Sequence, residues 1–542
     1  MAKTRKAWYS GMASTEDWWA VWLGLIFFGL GLLTMFGVDL VGWIAYPKIW
    51  AFSFPDGATT SKIKEISGSF VALGKGYKGL GVIGSIIVTY LVFTVATTIG
   101  AYFQKWDVKR FVIGWTIIYF ITYLIWFIGH NVFFAASAVD LAKSKFPADT
   151  TTLSLGGGAS FILALIVGLI IGNFFKPLAR YLSVAAKPEW YIKTAIVFLG
   201  VKVGYLPIKA VLKGQALGAK GEAIGQQMAS LTFELFVAGA AATIVAYLIF
   251  WPGVYSISRL IFSLPRKTAA VLASAISICG VSAAVATGGA VRAKPVVSIM
   301  VSALVVVYAV IELVILPGVF TNVWPGPSDP IVAGSAMGMA VKTDGADAAA
   351  GELLDEFMRA KVEKESGGKV VWMEGVITTS AVMTKIWIDM FIGLWAFILA
   401  LVWVYKIEKH DGDRVPISEV WFRFPKFVIG YFIAWFVYLG IFFGPGHSGT
   451  TADGLALLKS AKGGAVAVEK GMRKLFFMLT FVSLGIITDF KKLAEAQFGK
   501  MVWVYFVALT FFIVPVAIIV AYLFHHGMQI PNMAAITGAA IL

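Results

Sequence analysis

The amino-acid sequence predicts an all-α, polytopic membrane protein with about 13 transmembrane helices. Of its 542 residues, 59% are hydrophobic and only 14% are charged, and the mean hydropathy is +0.82. A soluble core cannot bury that much apolar surface. The apolar residues form runs long enough to cross about 30 Å of hydrocarbon. Lysines and arginines cluster at the ends of these runs, as is typical of cytoplasmic loops.

Thirteen apolar runs are predicted to span the membrane. They cover residues 18–36, 80–101, 111–133, 160–175, 191–205, 227–251, 268–287, 296–316, 331–350, 377–405, 427–443, 475–488 and 501–524. The shortest runs need to be tilted or interrupted to match a bilayer. The first three form an additional N-terminal membrane region within residues 1–150. The other ten form a core within residues 156–542.

The distribution of basic residues predicts the orientation of the chain. Basic segments precede the first predicted span and follow the second, fourth, sixth, tenth and twelfth, near residues 3–6, 105–110, 176–187, 259–267, 406–414 and 491–500. Basic loops stay in the cytoplasm. We therefore expect a multi-pass protein of the cell membrane with a cytoplasmic amino end and an outside carboxyl end. The basic segment 444–474 falls outside in this arrangement and opposes it.

Two polar stretches interrupt the apolar runs, at residues 344–374 and 444–462. Both are predicted to be outside loops. A plain connection is the simpler interpretation, and a cover over an entrance is the alternative. The amino terminus has basic residues but no cleavage site after a short apolar stretch, so we expect an uncleaved start.

An internal echo predicts two inverted repeats. IVFLGVKVGY from Ile196 and LTFVSLGIITDF from Leu479 both place Leu-Gly before an aromatic residue. With thirteen spans these two segments run in opposite directions, as inverted-topology repeats require. Residues 277–287 and 334–343 are also alike in their content of small residues. Those spans would run in the same direction, and they are not counted as a repeat.

Residues 274–294, SAISICGVSAAVATGGAVRAK, are built almost wholly from small residues. Small residues let helices approach closely, and interrupted helices at membrane depth persist only where protein or a water-filled cavity covers them. The candidate ligand-binding residues are Ser277, Gly280, Ser282 and Thr287. A helix broken here would expose backbone amides that attract an anion. The alternative is a tightly packed helix whose hydroxyls bond to the preceding turn.

Five ionisable residues fall within apolar runs. A charged side chain inside a membrane span costs free energy, so these residues are candidates for function. Lys202 has no acid in its own span, so either an anionic ligand or a carboxylate on another helix should neutralise it, unless it snorkels to the interface. Lys385 is a second candidate for substrate binding, although Asp389, four residues on, could simply satisfy it. Glu234, Glu312 and Asp389 are the candidate proton carriers.

Composition argues against several other classes of protein. The single cysteine and five scattered histidines give no metal-ligand spacing and no intramolecular disulfide. No nucleotide-binding or catalytic motif is present, so we expect no enzyme activity and no cofactor. The net charge of +15 is explained by membrane insertion rather than by nucleic-acid binding.

The segment from Ser277 to Gly280, with its continuation to Ala293, resembles the SICGA(S/A)A…AT…VVKA signature of the YeiH-type family, whose members carry the label of sulfate exporters. LALIVGLIIGN at 163–173 looks like the first core span of that family. IVFLGVKVGY is similar to its LGIxLxGFRL segment, with Lys202 where an arginine is usual. AVMTKIWIDM resembles its VISKMLR segment and retains Lys385. LTFVSLGIITDFKKL looks like its final AMAALGLTT segment.

The resemblance implies a ten-helix transporter core of the cation/proton antiporter and bile-acid symporter group, with inverted five-helix units and interrupted helices. One departure concerns the sixth core span. The family often has a His-Glu pair after Gly-Ser, whereas here Gly334-Ser335 is followed by Ala336-Met337. Ser335 joins the predicted substrate-binding residues, and the role of the missing pair cannot be transferred.

These observations predict a secondary transporter that moves a small oxyanion, such as sulfate or sulfite, by alternating access at the interrupted helix with Lys202 beside it. The expected partners are the anion, a coupling proton or sodium ion and the lipid bilayer, and a homodimer is compatible with the sequence. One alternative is a cation/proton antiporter of the same fold. Another is a non-transporting sensor or assembly subunit.

Overall fold

The computed structural model describes residues 11–55, 63–136, 140–141, 144–147, 149–153, 155–215, 219–407, 417–444, 452–493 and 499–534. Within this part of the chain, eight helices are long and apolar enough to cross a membrane, or nine if the pair Gly158–Phe174 and Lys176–Leu182, bent by 114°, forms one span. This confirms an all-α polytopic membrane protein. The count is smaller than thirteen because several predicted spans are short or folded back on themselves.

The N-terminal region contains three long helices and a small insertion of strands. The helices are α1 (Glu16–Leu32), α2 (Gly81–Phe103) and α3 (Val108–Gly129), followed by the single turn α4 (Val132–Ala135). Between α1 and α2, β1 (Ala45–Pro47) pairs antiparallel with β4 (Phe70–Ala72), and β2 (Trp50–Ala51) pairs parallel with β3 (Lys64–Glu65). Helix α1 packs against the core helix Pro188–Gly214.

The core contains long helices and short ones in alternation. Its elements are α5 (Gly158–Phe174), α6 (Lys176–Leu182), α7 (Pro188–Gly214), α8 (Ala219–Ser256), α9 (Arg266–Ser277), α10 (Gly280–Ala290), α11 (Pro295–Asn322), α12 (Pro330–Ala340), α13 (Asp344–Glu365), α14 (Val376–Val402), α15 (Ser418–Arg423), α16 (Phe427–Phe443), α17 (Ala452–Val466), α18 (Lys474–Ile487), α19 (Phe490–Leu493), α20 (Gly499–Ala508) and α21 (Val514–His525). A π-helical segment, Ala467–Arg473, joins α17 to α18.

Helices α9 and α10 form a re-entrant hairpin, here called hairpin A. Lys267 at the start of α9 donates a hydrogen bond from Nζ to the carbonyl of Arg292, just beyond α10, at 3.2 Å. A straight continuation would separate these ends by roughly 37 Å. The predicted interruption is therefore confirmed, at Ile278 and Cys279. The prediction that residues 268–287 cross the membrane is wrong, because the chain turns back at the interruption.

Helices α12 and α13 form a second hairpin, hairpin B. Along α14, Ser380 and Thr384 bond to α12 at Ile331 and Ser335, so α12 runs parallel to α14. Thr378 bonds to Gly351 on α13, and Asp355 accepts from Gly375 and Ile377 amides, so α13 runs antiparallel. The span predicted at 331–350 is thus a reversal.

The predicted outside loop at 344–374 is also wrong, since most of it is helix α13. Its acidic residues Glu352 and Asp355 are buried and pair with Lys202, Arg473 and Arg359 rather than facing water, and hydropathy cannot distinguish these two environments. The other predicted loop, 444–462, contains the start of α17 at Ala452, and its residues 445–451 lie outside the described part.

Two helix pairs are related as the predicted inverted repeat requires. Gly200 on α7 packs against the backbone of Tyr431 on α16, and Gly485 on α18 packs against the backbone of Gly168 on α5. Glycine at these crossings lets the helices approach closely. In the first pair Tyr205 contacts Tyr438, so α7 and α16 run parallel.

The second pair is also parallel, since Phe161 contacts Phe477 and Asn173 bonds to the Thr488 carbonyl. Between the pairs, α7 and α18 run antiparallel. The end of α7 approaches the segment before α18 through Lys209, whereas its start shares a cavity with the end of α18. The two Leu-Gly segments therefore occupy equivalent places in opposite directions.

Candidate functional site

The tips of hairpins A and B meet in the interior of the protein. The amide of Gly280, the first residue of α10, donates a hydrogen bond to the carbonyl of Lys342 in the turn of hairpin B, at 2.6 Å. The hairpins open on opposite sides, because hairpin A begins near the start of α11 and hairpin B near its end. Their contact therefore lies in the middle of the core.

A lysine covers the carbonyl end of the first helix in each hairpin. Lys385 on α14 donates from Nζ to the carbonyl of Ile278 at 3.0 Å and lies 3.8 Å from Asp389. Lys342 Nζ donates to the carbonyl of Met339 and lies over the ring of Phe250. Cations at helix carboxyl ends offset the negative end of the helix dipole. The negative ends of α9 and α12 are thus neutralised.

A buried carboxylate fixes the position of the hairpin B tip. Glu312 on α11 accepts a hydrogen bond at Oε2 from the Lys342 amide at 3.1 Å and one at Oε1 from the Tyr505 hydroxyl at 2.9 Å. Both glutamate oxygens therefore have partners. The carboxylate connects the tip to α11 and α20.

Helices α5, α7, α16 and α18, with the π-helical segment Ala467–Arg473, are here called the scaffold. A cavity of about 270 Å³ extends between the scaffold and the hairpins. Its deep end contacts Val281 in the first turn of α10 and Thr343 and Ala346 at the start of α13. Thr343 caps α13 by accepting from the Ala346 amide at 3.2 Å. Glu189 and Asp489 lie at its other end. The cavity thus reaches two helix amino ends, whose amides and dipoles attract anions.

Half of the ten predicted site residues lie at or beside the hairpin tips. Ser277 and Gly280 flank the turn of hairpin A, and Lys385, Glu312 and Asp389 surround the two tips, all buried. The Ser277 hydroxyl has no hydrogen-bond partner in the described part of the chain. A buried hydroxyl without a partner costs free energy unless a ligand or water satisfies it.

The other predicted residues on the hairpins lie farther from the tips. Thr287 is buried and Ser282 is half-buried on α10. Ser335 lies on α12 and shares a hydrogen bond with Thr384 at 2.9 Å. It supports the packing of hairpin B on α14.

Two of the predicted charged residues lie away from the hairpin tips. Glu234 is exposed on the outer face of α8, away from the hairpin tips. Lys202 lies on α7 and pairs with Glu352 at 2.8 Å, eight residues beyond the start of α13 and therefore roughly 12 Å from the tip along the helix axis. A carboxylate on another helix neutralises Lys202, which was one of the two expected possibilities.

Sequence reasoning missed a buried group of ionisable residues around Lys202, here called the charge network. Its members form ion pairs or hydrogen bonds within hairpin B, within the scaffold, between hairpin B and the scaffold, or with the start of α14: Lys202, Lys209, Glu352, Asp355, Glu356, Arg359, Glu374, Glu469, Arg473 and Lys474. The available signal was the spacing of Glu352, Asp355 and Arg359 by three and four residues, which places them on one helix face. The prediction of a loop at 344–374 concealed that signal.

Several parts of the charge network order the backbone. Asp355 accepts from the amides of Gly375 and Ile377, which begin α14, and from Arg359 at 2.7 Å. Glu356 accepts from the Gly158 amide at the start of α5, at 2.7 Å. Acidic groups at helix amino ends are stabilising. The network therefore fixes hairpin B to α14 on one side and to the scaffold on the other.

The fold and the two opposed hairpin tips define a multi-pass, all-α membrane protein of a kind consistent with a transporter. Residues 223–504 match the family described as Conserved hypothetical protein 698. The chain belongs to that family, which is the YeiH-type family that the SICG segment predicted.

Two relatives of the chain are membrane proteins by name. It is 48% identical to UPF0324 membrane protein NE0724 of Nitrosomonas europaea over 525 residues, 97% of this chain and 98% of that relative. It is 32% identical to UPF0324 membrane protein RB9488 of Rhodopirellula baltica over 63% of this chain and 53% of that relative. An uncharacterized protein of Archaeoglobus fulgidus is 42% identical over 29% of this chain and 90% of its own length. The Nitrosomonas alignment is long enough to include most of the N-terminal region.

Proposed function

We propose that this protein is a secondary transporter of a small oxyanion, such as sulfate or sulfite, in the cell membrane. The observation that carries this proposal is the arrangement of helix ends and lysines at the hairpin tips. The amino ends of α10 and α13 face the cavity, while Lys385 and Lys342 cover the carboxyl ends of α9 and α12. Such an arrangement favours a negatively charged ligand.

The shape of the interior supports alternating access. The cavity extends from the tips to the end of the scaffold at Glu189 and Asp489. On the other side of the tips, the charge network joins hairpin B to the scaffold. Movement of the unit formed by α8, both hairpins, α11, α14 and α21 against the scaffold of α5, α7, α16 and α18 would reverse which side is open.

The hairpins also favour the proposed orientation. Because hairpin A returns to the side where it begins, Arg292 and Lys294 lie on the same side as Arg266 and Lys267. Basic residues on that side strengthen its assignment to the cytoplasm. The cavity then opens to the cytoplasm, and the charge network faces outside.

A cation/proton antiporter is the second candidate function. It is favoured by Glu312 and Asp389, two buried acids beside the tips. The same residues could serve an anion transporter by carrying a coupling proton. Ion flux separates these possibilities, and a sensor or assembly subunit would show no flux at all.

Purified protein in liposomes tests the proposal. We expect uptake of radiolabelled sulfate or sulfite that unlabelled oxyanion inhibits. Gly280→Ala should reduce uptake at least tenfold, because a Cβ at Gly280 would overlap the Val305 side chain and displace the tip. Gly318→Ala on α11 is the matched control, since no atom lies within 4 Å of its added Cβ. Sodium-dependent proton movement without oxyanion flux would contradict the proposal and favour the antiporter.

A further inference from the structure

The residues of the charge network differ in sign between the hairpin unit and the scaffold, the two units that move apart in the proposed transport. Among the described residues, hairpin B and its connection to α14 contribute four acids and one arginine: Glu352, Asp355, Glu356, Glu374 and Arg359. The scaffold contributes four cations and one acid: Lys202, Lys209, Arg473, Lys474 and Glu469. The interface thus joins an acidic face of the hairpin unit to a basic face of the scaffold.

Glu352 occupies the basic face as a bound anion would. Its Oε2 lies 2.8 Å from Lys202 Nζ and 3.0 Å from Arg473 Nη1, and its Oε1 lies 3.1 Å from Arg473 Nη2. The planar arginine fork binds carboxylates and other oxyanions with two parallel hydrogen bonds. All three side chains are buried. Two cations of the scaffold therefore form a preformed oxyanion site that an acid of the moving unit fills.

The surrounding structure holds the two cations in place independently of Glu352. Gly375, with φ of +101°, packs against the Lys202 side chain, where any Cβ would overlap it. Arg473 donates from Nε to the Glu469 carbonyl at 3.2 Å and lies over the ring of Phe477, both on the scaffold. When hairpin B withdraws, the contacts of Arg473 with Glu469 and Phe477 remain, whereas Gly375 moves away with the hairpin unit. Two cations left without a counter-charge at this depth would be strongly destabilised.

We propose that Lys202 and Arg473 form a second oxyanion-binding site on the scaffold, and that Glu352 is an intramolecular substitute for the anion. Hairpin B closes this site in the present conformation, and a small oxyanion enters it when the hairpin unit moves. The role of this second site in the cell rests on the proposed oxyanion transport, whereas its existence can be tested by anion binding alone. The buried triad of Lys202, Arg473 and Glu352 contributes little to the free energy of unfolding by itself. Exchange of the Glu352 carboxylate for a free oxyanion would give the triad a role in gating.

Sulfate binding to Glu352→Gln tests this site. The variant removes the charge of the substitute anion with little change in shape, so the dissociation constant for sodium sulfate, measured by calorimetry in detergent at constant ionic strength, should fall at least tenfold relative to the unchanged protein. The double variant Glu352→Gln/Arg473→Gln should lose this gain. Glu356→Gln is the matched control, because Glu356 accepts from a backbone amide and its loss uncovers no Lys202–Arg473 pair.

The outcomes separate the site from the transport function. A monodisperse Glu352→Gln protein with unchanged sulfate affinity would overturn the proposal, as would an equal gain in Glu356→Gln. If Glu352→Gln does not fold, Glu352→Asp withdraws the carboxylate by one methylene and should give a smaller gain, whose absence would also overturn it. Tighter binding in Glu352→Gln with no oxyanion flux in the unchanged protein would leave the site standing and remove the transport function.

Discussion

The amide of Gly280 donates to the carbonyl of Lys342, so a backbone hydrogen bond joins the two re-entrant hairpins. A backbone contact cannot be replaced by choosing another residue, and it holds the tips at a fixed separation. The residues around it then act on a defined geometry. The charged side chains at this contact are therefore the most direct places to test function.

Lys385→Met should reduce oxyanion flux at least tenfold. The substitution leaves the carbonyl of Ile278 uncovered and removes the partner of Asp389, and losing a hydrogen bond to a charged group costs about 1.5–3 kcal/mol. Initial rates of labelled sulfate uptake in liposomes measure the change. Lys385→Arg keeps the charge and should retain more flux than Lys385→Met. Equal loss in both would indicate that shape, not charge, matters here.

Glu312→Gln should separate oxyanion flux from proton movement if Glu312 carries the coupling proton. Glutamine can still accept from Tyr505 or from the Lys342 amide, but it cannot exchange a proton. The expected result is sulfate exchange without a pH change inside the liposomes, followed with a pH-sensitive dye. Tyr505→Phe removes one hydrogen bond and keeps the carboxyl group, so it should preserve proton movement. Full proton coupling in Glu312→Gln would exclude Glu312.

Lys202→Met should destabilise the protein by about 3–5 kcal/mol, the usual cost of breaking a buried ion pair by removing one partner. Among the described residues, Glu352 would keep Arg473 as its ion-pair partner. Adding Glu352→Gln should destabilise the protein further, because Arg473 then loses its carboxylate partner. Thermal unfolding in detergent, arranged as a double-mutant cycle, measures both effects. A double variant more stable than Lys202→Met would refute this account.

Cys279 should react slowly with maleimide in the present conformation. It is the sole cysteine of the chain, it immediately precedes α10 at the turn of hairpin A, and it is buried. Opening of the tips should expose it to water. The labelling rate in membranes should therefore change severalfold when sulfate is added, with Cys279→Ser as the blank. A rate as fast as that of a surface thiol would contradict the closed tips.

Gly485→Val should prevent close packing of α18 on α5, since its added side chain would overlap the backbone of Gly168. Gly200→Val should have the same effect between α7 and α16, where the Tyr431 carbonyl lies. Overpacking of this kind typically costs about 1–3 kcal/mol. Fluorescence-detected size exclusion after heating measures the loss, with Gly318→Ala as the control. Normal stability in both variants would argue against the two equivalent crossings.

The sequence was sufficient to predict the helical membrane fold, because hydropathy depends on local composition. Each predicted apolar run coincides with helical structure, and the break beside Gly280 was predicted from its small residues. The reversal of the chain at that break could not be predicted, since a re-entrant hairpin and a crossing helix have the same composition. Residues 277–287 and 334–343 are alike in their small residues, but the predicted directions of their spans argued against a repeat. In the structure, these two segments contain the tips of hairpins A and B.

The candidate site was predicted in part for a similar physical reason. Lys385, Glu312 and Asp389 stood out because charge within an apolar run is costly. Glu352 and Arg473 lie in polar stretches where charge seems unremarkable, and only the fold brings them together in the interior. Glu234 also satisfied the composition rule, yet it lies on the outer face of α8. Composition identifies charged residues in apolar runs, but it does not show which side of a helix they occupy.

The order of the helices has a consequence for synthesis. Helix α8, which packs along hairpin A, immediately precedes it, whereas α21, which packs along hairpin B, is the last described helix of the chain. Since membrane segments emerge from the amino end first, hairpin B is made about 170 residues before this partner. Hairpin A thus packs on α8 early, whereas hairpin B, which packs on α11 and α14, gains its contact with α21 only later.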